Sequence, residues 1–270
     1  MIVSGLTRQV LVAVAFVFLV VMNVISSVPS SPIGRSNAEI SDDYHTPFTP
    51  AGFTFAVWGV IYLFQAIFVV FQFFPSNRNN QKLDALAPYV IAMYLLNVSW
   101  LVIFQTEKAF TISEIIIAIY LAIVFFAYRD VAKVGLHTKF SREVFLVNAA
   151  FSTQLAWLVA ANCASLCLTL KFYGWNVPTD FAAGLVFLVG CLATFVSLTR
   201  ADVAYAAVSL WALIGIISEN RAMNPESRKL VPVAILVIVS SLLALAIGLF
   251  QWYKTPVPTS AMLADKELLS

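Results

Sequence analysis

The stretch that decides the fold is H-T-P-F-T-P-A-G-F-T-F-A-V-W-G-V-I-Y-L-F-Q-A-I-F-V-V-F-Q, residues His45–Gln72. It begins as a loop punctuated by prolines and continues as an apolar segment, and no Asp, Glu, Lys or Arg lies between Asp43 and Arg78. Pro50 suits the first turn of a helix, where its missing N–H is not needed. An uncharged run of this length can cross the roughly 30 Å hydrocarbon core of a bilayer. The stretch therefore predicts a membrane-spanning helix that begins near Pro50.

Side chains with polar groups recur along one face of this predicted helix. They are Trp58, Tyr62, Gln65 and Gln72, at offsets of 4, 7 and 14 residues from the first. These offsets place all four side chains on the same side of a helix. Polar groups at bilayer depth need partners, which neighbouring helices or a bound molecule can provide. Two interpretations therefore stay open for this face: contact between helices, or the wall of a ligand site.

The composition of the whole chain places it in the class of membrane proteins. Of its 270 residues, 61% are hydrophobic and 11% are charged, and the mean hydropathy is +0.89. Soluble domains are close to half apolar and about a quarter charged. We therefore predict an integral, multi-pass membrane protein that has the lipid bilayer as its partner. The formal net charge of +2 gives no indication of nucleic-acid binding.

Eight apolar runs follow one another along the chain, and all but the seventh approach the ~20 residues that a membrane-spanning helix needs. They are Gln9–Ser27, Pro50–Phe74, Ala85–Gln105, Phe110–Tyr128, Val144–Leu170, Phe181–Thr199, Val203–Ser218 and Val231–Tyr253. The fold prediction is thus an all-α, polytopic helical bundle of about eight transmembrane helices. The first run also fits a signal peptide, but it exceeds the usual core of about 7–15 apolar residues, which favours a retained anchor.

The longest interior connection is Val28–Thr49, and it contains prolines, serines and the acidic residues Glu39, Asp42 and Asp43. It is too long for a tight turn, and it shows no helical periodicity. Loops of this length are often lids or binding loops, and the alternative is that they are disordered. Lys and Arg are more frequent on the side of both termini, which puts this loop on the opposite face of the membrane.

Two further spans carry a tryptophan beside a carboxamide at helical spacing. The aligned residues are Asn97, Trp100 and Phe104 in the third span and Gln154, Trp157 and Ala161 in the fifth. A single asparagine or glutamine in a span is most simply a packing residue. Three separate helices with the same combination predict more: a pocket with aromatic walls and few hydrogen-bonding groups, suited to a large apolar ligand.

Three stretches of the sequence resemble the signatures of the tryptophan-rich sensory protein family, also known as the translocator protein or peripheral-type benzodiazepine receptor family. They are P-A-G-F-T-F-A-V-W-G-V-I-Y (Pro50–Tyr62), L-L-N-V-S-W-L-V-I-F (Leu95–Phe104) and Q-L-A-W-L-V-A-A-N (Gln154–Asn162). The resemblance covers the first five spans, from about residue 9 to residue 170. The sequence departs from the family in its first loop, where the W-x-x-P-P run is replaced by Pro47-Phe48-Thr49-Pro50.

The resemblance implies a five-helix bundle, usually dimeric, that binds porphyrins, haem or sterols in a cavity beneath the first loop. It implies a ligand-binding core over residues 1–170, three additional transmembrane helices over 171–253 and a polar tail over 254–270. A tetrapyrrole would be a ligand rather than a required cofactor, and a homodimer is expected. Together with the polar faces, the resemblance predicts a ligand site formed by Pro50, Phe53, Trp58, Tyr62, Gln65, Asn97, Trp100, Phe104, Trp157 and Ala161.

Few residues in the sequence could carry catalysis or hold a metal. Glu114 is the only acid within a predicted span, and its position near the span's start suits a side chain that reaches to the interface. His45 is a candidate axial haem ligand, although a solvated loop residue is the simpler interpretation. We therefore expect no catalytic residues and no metal site, and a receptor or carrier rather than an enzyme. A secondary transporter of a small metabolite is the alternative, and it would need broken helices at mid-membrane.

Overall fold

The computed structural model describes residues 4–28, 31–133, 142–222 and 229–254. Within these ranges the regular structure is helical, with nine α-helices and two short 3₁₀ segments at Gly52–Ala56 and Pro75–Asn77. The α-helices are α1 (Gly5–Ser27), α2 (Asn37–Asp43), α3 (Val57–Gln72), α4 (Gln81–Gln105), α5 (Phe110–Lys133), α6 (Arg142–Phe172), α7 (Thr179–Arg200), α8 (Val203–Ala222) and α9 (Leu230–Lys254).

Eight helical segments in the described residues are long and apolar enough to cross a bilayer. They are Gly5–Ser27, Gly52–Gln72, Gln81–Gln105, Phe110–Val131, Leu146–Phe172, Thr179–Arg200, Val203–Arg221 and Leu230–Gln251. The predicted all-α polytopic membrane bundle with about eight spans is therefore confirmed. The one α-helix in the described residues that is not among these segments is α2, which has seven residues and lies in the first loop.

The outside of the bundle is covered by large apolar side chains. Val14, Leu63, Phe195 and Leu236 are each at least 60% exposed. Water would disfavour so much exposed apolar surface, whereas lipid tails accept it, and α-helices satisfy their backbone hydrogen bonds internally. The exterior is thus suited to a bilayer.

The helices pack in two neighbouring groups. In the first, α1 contacts α3 and α4, α4 contacts α5, and α6 packs against both α3 and α5. In the second, α7 packs along α9, and both contact α8. The principal seam between the groups is α6 against α8. This arrangement places α8 next to the helices that carry the predicted site.

A buried ion pair fixes α1 to α4. The guanidinium of Arg8 is 1% exposed, and it donates to Oδ1 of Asp84 at 2.6 Å and to the carbonyl of Asn77 at 2.6 Å. The prediction that Glu114 is the only acid within a span was therefore wrong. Helix α4 begins at Gln81, capped by the side chain of Asn80, so Asp84 lies inside the first turn rather than before the helix.

The first loop contains a helix that its sequence pattern did not predict. Ser36 and Glu39 form a capping box, in which the Ser36 hydroxyl accepts from the Glu39 N–H and the Glu39 carboxylate accepts from the Ser36 N–H at 2.8 Å. These bonds stabilise the start of α2, as capping boxes generally do. The hydrogen bonds from Ser36 lower the pKa of the Glu39 carboxyl, and the Arg35 guanidinium lowers that of Asp43.

A second buried carboxylate, Asp202, joins the two groups of helices at the same end of the bundle as Asp84. It accepts from the Tyr128 hydroxyl at 2.8 Å, the Ser152 hydroxyl at 3.1 Å and the Asn148 amide at 3.3 Å. It also accepts from the backbone N–H of Tyr205 at 3.0 Å. These bonds connect α5 and α6 with the start of α8, so they fix where α8 lies against α6.

Candidate ligand site

A cavity lies against α2 and the loop that leads into α3. Six of the ten predicted site residues line it: Pro50, Trp58, Trp100, Phe104, Trp157 and Ala161. They come from three parts of the chain: the loop with α3, then α4, and then α6. The structure therefore brings the three tryptophans to one hollow inside the bundle rather than to the lipid-facing surface.

The indole rings surround each other at contact distance. Trp58 meets Trp157 edge to face with ring centroids 6.0 Å apart, and it lies tilted against Trp100 at 6.3 Å. Trp100 in turn stacks on Phe104 at 5.1 Å. Such aromatic pairs are favourable at centroid separations of about 4.5–7 Å. The rings thus stabilise one another, and they form the aromatic wall of the cavity.

The cavity is also lined by small side chains. On α6, Ala160, Ala161 and Ala164 line it together with Trp157, and on α8 the lining residues are Ala212 and Ile216. Several alanines thus border the cavity beside the aromatic rings. They leave space next to the rings, because alanine fills the least volume of any residue with a Cβ.

The cavity is narrow. Its volume is about 50 Å³. About 10–15 Å³ of such space is enough for one water molecule. Sites for drug-sized ligands usually enclose roughly 300–1,000 Å³. A large ligand would therefore need side chains or the first loop to move before it could enter.

Two hydrogen-bond donors of the aromatic wall are unpaired. Within the described part of the chain, no acceptor lies in hydrogen-bonding distance of the indole N–H of Trp100 or of Trp157. Both side chains are buried, at 6% and 3% exposure. Buried polar groups usually have partners, and an unpaired one costs roughly 1–3 kcal/mol. Two of the residues that line the cavity thus carry a buried N–H donor without a protein partner.

Three of the predicted site residues lie outside the cavity wall and connect helices instead. The Tyr62 hydroxyl donates to Oδ1 of Asn23 at 2.8 Å, and the Asn23 amide donates to Oδ1 of Asn97 at 3.0 Å. The Gln65 amide donates to Oε1 of Gln154 at 2.6 Å. The polar face of α3 is therefore divided: Trp58 faces the cavity, while the groups further along bind other helices.

The junction between the first loop and α3 differs from the prediction. Helix α3 begins at Val57, after the 3₁₀ segment Gly52–Ala56, so Pro50 precedes the helical turns instead of occupying the first one. Phe53 does not line the cavity; it is 47% exposed and packs edge-on against Trp211 of α8 at 5.4 Å. Helix α8 thus contacts this junction, and the local sequence gives no sign of that contact.

His45 does not reach the cavity wall either. Its Nε2 lies 3.4 Å from a carboxylate oxygen of Glu219, near the end of α8. An axial haem ligand would have to face the space that a macrocycle occupies. In this structure the imidazole instead bridges the first loop and α8.

Sequence reasoning missed the cavity residues of α2, the loop and α8. They include Asn37 and Ser41 on α2, Phe48 and Thr49 in the loop, and Ala212 and Ile216 on α8. The S-x-x-E pattern at Ser36–Glu39 could have revealed α2, since it is a known sign of a helix start. No local signal marks alanine or isoleucine in an apolar span as part of a cavity.

Comparison with known proteins places the chain in a family. A model of the family described as TSPO-like protein matches residues 9–249. The chain belongs to the TSPO-like protein family. The match continues through α7, α8 and most of α9, beyond the residues 9–170 that the three motifs cover. No curated protein and no solved structure matches the chain.

Membership of the TSPO-like family agrees with the architecture. The eight apolar helices and the family match both identify an integral, multi-pass membrane protein. The cluster formed by Trp58, Trp100 and Trp157 is compatible with a protein of this family. Because the match includes the last three spans, α8 belongs to the matched region together with the helices that carry the tryptophans.

Proposed function

We propose that this member of the TSPO-like family is a membrane receptor or carrier that binds a large, mostly apolar ligand in the tryptophan-lined cavity. A tetrapyrrole such as a porphyrin or haem is the leading ligand class, and a sterol is the other that the family resemblance implies. The observation that carries the proposal is the convergence of Trp58, Trp100 and Trp157 from three helices on one cavity.

The chemistry of the cavity supports a ligand with a flat apolar body and an acceptor group. Aromatic faces stack on flat rings, and the alanines of α6 leave room beside them. The unpaired indole N–H groups of Trp100 and Trp157 would donate to a carboxylate, carbonyl or hydroxyl oxygen of the ligand. Porphyrin propionates supply such oxygens, as does the single hydroxyl of a sterol.

Entry of a large ligand requires the cavity to widen, and the first loop is the element best placed to move. Helix α2 contributes Asn37 and Ser41 to the cavity, and the Asn37 side chain accepts from the Gln105 amide at 3.1 Å. Opening α2 as a lid would break this hydrogen bond and withdraw the side chain of Ile40, which is fully buried. Opening of this lid would let the indoles separate around the ligand.

The proposal assigns no catalytic step to the protein, and it requires no bound cofactor. Ligand binding needs only shape, apolar surface and a few hydrogen-bond donors, which the cavity provides. A homodimer, the other partner that the resemblance implies, stays a prediction.

The test is a titration of the full chain in lipid nanodiscs with protoporphyrin IX, followed by the shift of its Soret absorbance. We expect the Trp58→Ala and Trp157→Ala variants to bind at least about tenfold more weakly, a loss of about 1.4 kcal/mol each. Trp175→Ala is the matched control, because Trp175 packs on Phe181 away from the cavity. Equal affinity for the wild type and both cavity variants would contradict the proposal.

Secondary transport of a small metabolite is the second candidate function, and the narrowness of the cavity favours it. Space of about 50 Å³ suits a small solute better than a macrocycle. A flux assay in proteoliposomes separates the two functions. Uptake of a small solute that Ala161→Trp blocks, without any porphyrin binding, would favour transport.

A further inference from the structure

Helix α8 forms part of the candidate cavity although it follows the three motif-bearing helices by many residues. Ala212 and Ile216, one turn apart, both line the cavity and are nearly completely buried, at 2% and 1% exposure. They line the same cavity as the three tryptophans and as Ala160 and Ala164 of α6, the helix against which α8 packs. The free space of the cavity is therefore bounded by side chains of α8.

Helix α8 also holds the backbone that leads into α3. The indole N–H of Trp211 donates to the carbonyl of Thr54 at 2.9 Å, and the N–H of Ala51 donates to the carbonyl of Gly215 at 3.1 Å. One turn further on, the Asn220 amide donates to the carbonyl of Pro47 at 2.9 Å. These three bonds attach α8 to the loop and to the 3₁₀ segment from which α3, and hence Trp58, continues.

The contact at Gly215 leaves no room for a side chain. A Cβ at this position would lie 2.0 Å from Oγ1 of Thr54, which is far inside contact distance. Thr54 is fully buried, at 0% exposure, so it has little freedom to withdraw. Close approach of backbones at small residues is how helices pack tightly in membranes. Helix α8 is therefore seated directly against the junction.

We propose that α8 determines which ligands the cavity accepts. In this role the side chains of Ala212 and Ile216 limit the width of the tryptophan-lined cavity. Trp211 and Gly215 are positioning residues that hold the junction carrying Trp58. The inference rests on the proposed function, because selectivity has meaning only for a site that binds a ligand. It goes beyond that function by making a helix outside the three motifs part of the recognition surface.

The physical reason lies in the volumes involved. The cavity has about 50 Å³ of usable space, and alanine at position 212 borders it directly. Ala212→Phe adds a phenyl ring to this methyl group, beside a cavity with room for only a few water molecules, so the ring competes with a ligand for the same space. Replacing Ile216 by alanine has the opposite effect, because it removes three carbon atoms from the same wall.

The first experiment compares Ala212→Phe with Ala207→Phe, and Ile216→Ala with Ile214→Ala, in the porphyrin titration. The control positions lie on exposed faces of the same helix. We expect Ala212→Phe to weaken binding of protoporphyrin IX at least tenfold, and Ala207→Phe to leave it within twofold. We expect Ile216→Ala to shift the preference towards porphyrins with bulkier ring substituents, and Ile214→Ala to have no such effect. Wild-type affinity and preference in both cavity variants would overturn the proposal.

A second measurement does not depend on any ligand. In a chain whose three native cysteines are replaced by alanine, Ala161→Cys places one thiol in the cavity wall, where a small uncharged maleimide can report access. We expect Ala212→Phe to slow its labelling at least fivefold relative to Ala207→Phe. Equal labelling rates would overturn the role of α8.

The two measurements distinguish the possible failures. If the wild type binds no porphyrin but Ala212→Phe slows labelling, the proposed ligand class is wrong and the role of α8 stands. If the wild type binds porphyrin and the α8 variants change neither binding nor labelling, the proposed function stands and the role of α8 is wrong. Should Ala212→Phe fail to fold, Ala212→Leu with Ala207→Leu as control makes the same test with a smaller increase in volume.

Discussion

The indole rings of Trp58 on α3 and Trp157 on α6 meet edge to face, with their centroids 6.0 Å apart. Two tryptophans from helices that are distant in sequence thus share one cavity instead of facing lipid. The two rings occupy part of the interior between α3 and α6. Their position explains why only a narrow space remains beside the alanines of α6 and α8.

The first prediction concerns the unpaired indole donors. Trp100→Phe and Trp157→Phe remove the N–H and keep an aromatic ring, so they should weaken the binding of a carboxylate-bearing porphyrin. A hydrogen bond to a charged acceptor contributes about 1.5–3 kcal/mol, which corresponds to a loss of at least about tenfold. Titration with an alkyl-substituted porphyrin that lacks carboxylates is the control. A similar loss for both porphyrins would show that the rings, and not the N–H groups, matter.

The second prediction concerns the buried ion pair between Arg8 and Asp84. Removing one partner leaves a buried charge without compensation, which typically costs about 3–5 kcal/mol. We expect Arg8→Met to lower the thermal unfolding midpoint in detergent strongly. The double variant Arg8→Met with Asp84→Leu should recover most of the loss, because both charges are then absent. A single variant as stable as the wild type would contradict the role assigned to this pair.

The third prediction concerns the anchor at Asp202. Asp202→Ala removes the acceptor for three side chains and one backbone N–H. We expect the free energy of unfolding to fall by about 3 kcal/mol or more, because buried donors lose a charged partner. Asp180→Ala, at an exposed position on α7, should lower the free energy of unfolding by less than about 1 kcal/mol. Chemical unfolding monitored by tryptophan fluorescence measures both. Equal effects of the two substitutions would argue against a special role for Asp202.

The fourth prediction concerns the dependence of the α2 lid on pH. The pKa of Glu39 is lowered by hydrogen bonds from Ser36, and that of Asp43 by Arg35. A lowered pKa means that the folded loop favours the ionised form, so its contribution to stability is present above the ordinary values of 4.5 and 3.8 and is lost as the pH falls below them. Hydrogen exchange at the α2 amides should therefore accelerate, relative to α4, below about pH 4.

The control for this prediction is Glu39→Gln, which should show part of the faster α2 exchange already at pH 7. Above pH 5 the exchange free energy of the wild-type loop should be constant. Protection of α2 that does not change down to pH 3 would contradict the assigned capping role.

The fifth prediction concerns the contact between Gly215 and Thr54. Gly215→Ala introduces a Cβ into occupied space, and overpacking of this kind usually costs about 1–3 kcal/mol. Gly184→Ala on α7 is the matched control, because its Cβ would meet no atom within 4 Å. That substitution should be neutral or slightly stabilising, since alanine favours helix. Thermal unfolding compares the two; a neutral Gly215→Ala would show that α8 is not seated against the junction.

The eight spans and the meeting of three tryptophans were predictable because each depends on patterns within one helix. Apolar runs of sufficient length predict the spans. The spacing of Asn97 and Trp100, or of Gln154 and Trp157, predicts which side of a helix faces protein. Such a pattern needs no knowledge of distant segments.

The same patterns cannot predict which residues on one face of a helix line the cavity and which contact another helix. Trp58 and Tyr62 are one turn apart, yet the first lines the cavity and the second donates to Asn23 of α1. The position of the neighbouring helices decides this difference, and it is set by contacts such as Arg8 with Asp84. The motif spacing therefore predicts a protein-facing surface but not which residues touch a ligand.

The role of α8 in the cavity was not predictable for a related reason. Ala212 and Ile216 are ordinary residues of an apolar span, and only packing against α6 gives them a place in the cavity wall. Helix α2 is too short for helical periodicity to be seen, and only its capping pattern at Ser36–Glu39 marks it in the sequence.

The most direct test of the tryptophan-lined site uses ¹⁵N-labelled tryptophan in the full chain, reconstituted in nanodiscs and titrated with protoporphyrin IX. Each indole N–H gives its own resonance, assigned by substitution of single tryptophans. We predict that the signals of Trp100 and Trp157 move downfield as their donors gain an acceptor, while that of Trp175 stays in place. Saturable porphyrin binding with the Trp100 and Trp157 signals unchanged would contradict the account.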